Sequence, residues 1–253
     1  MKSIVENYES YLKVKDKLFT RRFTWCGLTG KYPKYTTNII KFNTETNAFS
    51  NMKKCYTSVE LFSETDKLAK KYVEWVKSKG NSYSNAEYDD MHRFFVGAIG
   101  EDFFGYMLSE LKCVIAPNAS GILKRYDFNH VSPTLDDSID LGVDLYANAN
   151  DVSSVIQVKF HNPFAKSSEP WTTIVQKAYA EGVSKRIINP DGEENVFICF
   201  LGNENTIYSN LKKAREYQKK VVAIGQTALE STIDNRLKES FWDKFYEHLC
   251  SIK

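Results

Sequence analysis

Glu101, Asp144, Gln157 and Lys159 are residue types that hold a hard cation and set a positive charge beside it. Carboxylate and amide oxygens, with backbone carbonyls and water, are what Mg²⁺ prefers. A divalent cation at a phosphodiester neutralises developing charge and acidifies a bound water. A lysine alongside orients or deprotonates that water, or stabilises the crowded phosphate. The stretch VIQVKF (155–160) ties Gln157 to Lys159 geometrically. In a strand the side chains alternate, so Ile156, Val158 and Phe160 share one face and Val155, Gln157 and Lys159 share the other. In DLGVD (140–144) the same alternation sets Asp140, Gly142 and Asp144 on one face. Between Asp144 and Gln157 there is room for a strand end, a turn at NAND (148–151) and a return strand, so a β-hairpin brings the two together.

Such side chains need elements to position them. A long helix is expected over about 86–111, where Gly97, Glu101, Phe104 and Leu108 form one stripe. A carboxylate in that stripe is costly to bury unpaired, which marks Glu101, unless it lies at the edge of the face and reaches water. Strands are expected at KCVIA (112–116), IDLGVDLY (139–146) and VIQVKF, then a helix at roughly 170–187. VFICFL (196–201) and VVAIG (221–225) are continuous apolar runs of the kind covered on both faces, with a helical YSNLKKAREY (208–217) between them. An amphipathic helix over 233–249 follows. The alternation of strand and helix implies an α/β fold with parallel pairing under helices.

The front of the chain reads differently. Residues 4–19 form an amphipathic helix pattern. Residues 20–62 look β-rich or irregular, with NIIKF (38–42) weakly alternating and TETN (44–47) placed to close a hairpin. SETD (63–66) opens a helix over 64–79. The polar KGNSYSN (79–85) marks a boundary, giving a module at 1–85 and a second at 86–253. Charge follows the division. Residues 1–80 carry 16 Lys and Arg against 8 Asp and Glu, while the rest carries 18 against 24, within a net +2. A basic front suits a polyanion, or is simply a solvated surface. Arg21, Arg22, Lys31, Lys34, Lys53 and Lys54 lie among Phe23, Trp25, Tyr32, Tyr35 and Tyr56, an interleaving that suits phosphate contact with base stacking.

Hydrophobic content of 42% and charged content of 26% fit a packed core. No apolar run approaches the roughly 20 residues of a membrane span, and MKSIVEN has no apolar core of a signal peptide. The five cysteines are scattered, with no C-x-x-C pair, so neither a disulfide framework nor a zinc knuckle is indicated and a reducing cytoplasm fits.

Helix Glu101, then IDLGVD ending at Asp144, then IQVK ending at Lys159, resembles the PD-(D/E)XK nuclease superfamily. The likeness is strongest to its Mrr-type branch, where Gln often replaces the middle acid. GAIGEDFF (97–104) and the tail from VFICFL through KVVAIG (220–225) are similar to that branch too. The resemblance covers roughly residues 90–235 and implies a restriction-endonuclease-like mixed sheet flanked by helices, with a small basic α/β appendage in front. It implies roles by position. Asp144 is the bridging carboxylate, Gln157 a metal or water contact, Lys159 the catalytic lysine, and Glu101 completes the metal shell. Asp140 and the Val158 carbonyl are further ligands. Gln157 brings no charge where many relatives have an acid, which lowers metal affinity. His161 and Gln176, the latter three residues before Tyr179, are candidate substrate contacts. The plainer reading of each is a solvated polar residue.

These features imply an endonuclease that uses Mg²⁺ or Mn²⁺ on DNA in restriction, defence, mobile-element or viral DNA processing. It would need no small-molecule cofactor and no membrane, and it would work as a homodimer for duplex cleavage. The alternatives are a junction-selective or RNA nuclease, and an inactive nucleic-acid-binding protein on a nuclease scaffold.

Overall fold

The computed structural model describes residues 33–110, 113–117, 123–133, 144–149, 152–162, 164, 170–184, 189, 191, 195–201, 212, 221–225 and 239–250. Three helices come first: α1 (Pro33–Thr46), α2 (Ser58–Ser78) and α3 (Asn85–Glu110), with a 3-10 turn at Ala48–Asn51. Strands β1 (Cys113–Pro117), β2 (Leu123–Pro133), β3 (Leu145–Ala149) and β4 (Val152–Phe160) follow. Then come α4 (Trp171–Ser184), β5 (Asn195–Leu201), β6 (Val221–Ile224) and α5 (Glu239–Cys250).

The front of the described chain is helical, which corrects the β-like reading of NIIKF and TETN. NIIKF lies inside α1 and TETN supplies its last turn. Four or five residues of alternation fit a helix equally well: Ile39, Phe42 and Asn43 fall on one helical stripe, and all three are buried. What decides is the partner. Phe42 meets Tyr72 and Trp75 of α2 edge-on, at ring centroids 5.4 and 5.7 Å apart. Asn47 then takes a left-handed backbone, φ 49°, which its short side chain tolerates, and α1 stops.

Helix α2 starts six residues before the expected 64. Thr57, not the SETD stretch, provides the capping box. The Glu60 N–H donates to Thr57 Oγ1 at 3.2 Å, and the Thr57 N–H donates to Glu60 Oε2 at 3.0 Å. Within SETD, Thr65 is buried and its hydroxyl donates to the Leu61 carbonyl at 2.8 Å, a mid-helix role. Helix α3 has the same device, with Ser84 and Glu87 exchanging bonds of 3.3 and 2.9 Å.

The six strands form one sheet in the order β1-β2-β3-β4-β5-β6. The first four pair antiparallel, and β4, β5 and β6 pair parallel. His130 lies in β2, opposite Asn148. A parallel pair needs a crossover, and α4 supplies the one between β4 and β5. The sheet is covered on both sides. Leu145, Ile156, Val158 and Phe160 join the main core with α1, α2, α3 and α5. Val155, on the opposite side of β4, is buried outside that cluster, as are Ile174, Val175 and Ala178 of α4. Among the described residues no helix is long and apolar enough to cross a membrane.

Candidate active site beside the β3–β4 hairpin

Strands β3 and β4 form a hairpin whose register runs from Ala149↔Val152 to Leu145↔Ile156. At the end of that described ladder stands Asp144. Its N–H still donates to the Ile156 carbonyl at 3.0 Å. Beyond it the carboxylate takes over from the backbone: Oδ2 accepts the Val158 N–H at 2.6 Å and a bond from Gln157 Nε2. Gln157 Nε2 also donates to the Val158 carbonyl at 3.3 Å. Asp144 and Gln157 are both buried, at 3% and 5% exposure. A buried carboxylate must find donors or lose its charge, and here two N–H groups converge on one oxygen.

On its other side β4 stays paired with β5 through Phe160↔Leu201. Residues 157–160 are therefore held from β5 while the described pairing to β3 ends at Ile156. Lys159, half-buried, follows Gln157 by two residues on the same face. His161 is exposed immediately after the strand.

Glu101 reaches this region from α3. The helix approaches β4 closely at Gly100, where a Cβ would come within 2.3 Å of the Phe160 Cβ and Cγ. Phe104 and Phe160 add a ring contact at 6.5 Å, and Phe62 of α2 touches the same ring at 5.5 Å. Glu101 and Gly97, four residues apart, are half-buried while residues 98–100 and 102–107 are buried, and the Glu101 Oε2 atom is itself covered. Alternation along β4 sets Phe160, and hence α3, on the face opposite Gln157 and Lys159. The structure thus joins Asp144, Gln157 and Val158 directly, and holds Glu101 beside the end of the same strand on the other side of the sheet.

The remaining sequence candidates scatter. Gln176 is exposed on α4 and Tyr179 is half-buried. Lys53 is exposed, whereas Lys54 pairs with Asp243 of α5 at 3.3 Å. Lys34 falls in the first turn of α1. Asp140, Arg21, Arg22 and Lys31 lie outside the described residues.

Two polar features went unread in the sequence. Asp102 of α3 and His248 of α5 meet at 3.0 Å, with side chains 1% and 2% exposed. They are 146 residues apart, and no local pattern joins them. The second is a knot around Cys55. Its thiol donates to the Lys53 carbonyl at 3.2 Å, and Tyr246 Oη donates to the same carbonyl. Burial, with Glu64 and Glu60 nearby, pushes the Cys55 thiol up to about 12, and burial likewise raises Tyr246. A thiol so protonated is a poor nucleophile.

As a hard-cation site the donor set has the right chemistry: the Asp144 carboxylate, the Val158 carbonyl and the Gln157 amide, all oxygen-bearing. A carboxylate has about four lone-pair positions, so the two N–H donors do not exhaust Asp144. The Gln157 amide directs its nitrogen at Asp144, and a half-turn about its last torsion would direct the oxygen there instead. Among the described residues no three His, Cys, Asp or Glu side chains cluster closely enough to hold a metal. The chain matches no protein-family profile, no curated protein and no solved structure.

Proposed function

We propose that the chain is a metal-dependent deoxyribonuclease built on a restriction-endonuclease-like core. The observation that carries this reading is the meeting of Asp144 with Gln157 and the Val158 N–H beside the β3–β4 hairpin, with Lys159 next on the same face. Asp144, the Val158 carbonyl and, after rotation of its amide, Gln157 would hold Mg²⁺ or Mn²⁺. Glu101 would complete the set from α3, with Asp140 a further ligand. The cation supplies charge neutralisation at the phosphate and acidifies water. Lys159 then orients the attacking water and balances charge on the phosphoryl oxygens. Lys53, exposed ahead of α2, adds positive charge toward the DNA backbone, and exposed His161 adds a hydrogen-bonding side chain. Cutting both strands of a duplex takes two such sites, so the working unit is a homodimer.

One observation favours a second reading, a nucleic-acid-binding protein on a nuclease scaffold. Gln157 offers Asp144 a donor, which satisfies the acid without any cation. Two measurements separate the readings. Plasmid nicking with Mg²⁺ should occur for the wild type and vanish for Lys159→Ala; equal nicking by both sinks the catalytic assignment. Titration calorimetry with Mn²⁺ should show binding that Asp144→Ala abolishes. If the wild type binds no metal, the second reading takes over. Parallel assays on branched DNA and RNA would reveal a junction-selective or RNA nuclease.

A further inference from the structure

Among the described residues, the large hydrophobic side chains that stand exposed are Tyr56 at 64% and Phe164 at 77%. Single exposed apolar residues are ordinary on a protein surface, and what distinguishes these two is position. Phe164 follows Lys159 by five residues, just past the end of β4. Its backbone N–H donates to Asn162 Oδ1 at 2.9 Å, a side-chain-to-backbone turn of the kind Asn favours. Tyr56 comes just before α2, the helix whose Phe62 packs on Phe160 at 5.5 Å. Phe164 therefore leaves the fold at the end of the strand that carries Gln157 and Lys159, and Tyr56 stands six residues before the Phe62 that touches Phe160 of that strand. Polar side chains accompany them: His161 is exposed three residues before Phe164, and the cationic Lys53 is exposed three residues before Tyr56.

A phenyl ring has no donor or acceptor and so cannot read base edges in a groove. It can stack on a base, and in a continuous duplex both faces of each base are already covered. The ring finds a partner only where a nucleotide is unpaired or turned out of the stack. We propose that Phe164 is a stacking platform for an unpaired base beside the scissile phosphate, with Tyr56 a second platform. The preferred substrate is then DNA with unpaired nucleotides at the cleavage point. The substrate assignment rests on the nuclease reading above; the stacking itself does not.

The test measures binding without metal. Fluorescence anisotropy in EDTA compares a labelled continuous duplex with the same duplex carrying an internal bulge, for wild type, Phe164→Ala and Phe164→Trp. The alanine variant should lose about five- to hundredfold in affinity for the bulged DNA, the worth of one base stack, and change little on the duplex. Tryptophan should restore the difference. Equal loss on both DNAs, no loss on either, or no binding by the wild type overturns the proposal. So does a wild-type dimer that Phe164→Ala makes monomeric in sedimentation with DNA affinity unchanged, since the ring then belongs to a contact between copies. Cleavage of the same bulged DNA with Mg²⁺, beside Lys159→Ala, keeps the two claims apart. Phe164-dependent binding without Lys159-dependent cutting sinks the nuclease and leaves the platform. Lys159-dependent cutting with no Phe164 effect on binding sinks the platform and leaves the nuclease.

Discussion

Two buried acids of the chain live in opposite surroundings. Asp102 meets His248 between α3 and α5, walled by aromatic rings. Tyr106 lies 5.2 Å from the imidazole, and Phe103 packs on Phe245 at 5.6 Å. Asp144 meets Gln157 and the Val158 N–H at a strand edge, with Lys159 half-buried and His161 exposed within a few residues. Both acids are satisfied, so burial alone does not tell a structural pair from a reactive one. The neighbours do. A pair closed in by rings holds two helices in register, whereas a pair followed within a few residues by half-buried Lys159 and exposed His161 can meet a charged ligand.

If that contrast is right, the two acids should fail differently when removed. Asp102→Ala takes away the acid facing His248 in a dry setting, where leaving a buried polar partner without its hydrogen bond costs about 1–3 kcal/mol. Urea unfolding should show that loss, and Asp102→Asn, which keeps a hydrogen-bonding side chain, should lose less. A variant as stable as the wild type would mean the pair is not sealed. At the other acid, Lys159→Ala should lower the nicking rate about 10²–10³-fold, as does loss of one group that stabilises the transition state. Its unfolding midpoint should stay near that of the wild type, because Lys159 is only half-buried. A large drop in stability with partial activity would reverse the contrast.

Gly100 joins the two regions, since α3 carries Asp102 and Glu101 next to it. Gly100→Ala puts a methyl group onto the root of the Phe160 side chain, which cannot swing away as the tip of a long side chain can. Overpacking of this kind costs about 1–3 kcal/mol. The helix should also shift off β4, so metal affinity should fall along with stability if Glu101 belongs to the site. A stability loss with metal binding unchanged would remove Glu101 from it.

The meeting of Asp144 and Gln157 is readable from residues because it is local: a short turn and a period of two leave little choice of register. Helix α3 is readable for a related reason, with a capping pair at Ser84 and Glu87 and a long apolar run behind it. NIIKF is not, because five residues fit either period and the burying partner, α2, lies some thirty residues away. The true start of α2 was hidden by a second capping pattern, SETD, whose threonine the core absorbed. Asp102 with His248 is beyond any local pattern, since only the tertiary fold brings residue 102 to residue 248. Gly100 was visible as part of GAIG, but its contact with Phe160 depends on the crossing of helix over strand.

The Cys55 knot extends the comparison to a third buried polar group and has the smallest effect near neutral pH. Folding raises the thiol from its ordinary 9.0 to about 12, so between those values the unfolded chain has lost a proton that the folded chain keeps. Stability is then whole below about pH 9 and falls as pH rises toward 12, by up to about 1.4 kcal/mol per pH unit. The raised Tyr246 acts in the same direction at higher pH. Lysines and other tyrosines also titrate there, so the informative quantity is a difference between variants. Cys55→Ala should be less stable at neutral pH, because it opens a small space in the core, yet its stability should fall less steeply above pH 9 than that of the wild type. Parallel slopes would mean that the thiolate is reached by solvent in the folded protein. The space around Cys55 and Tyr246 would then be open in the way the surroundings of Lys159 are, and not closed like those of Asp102.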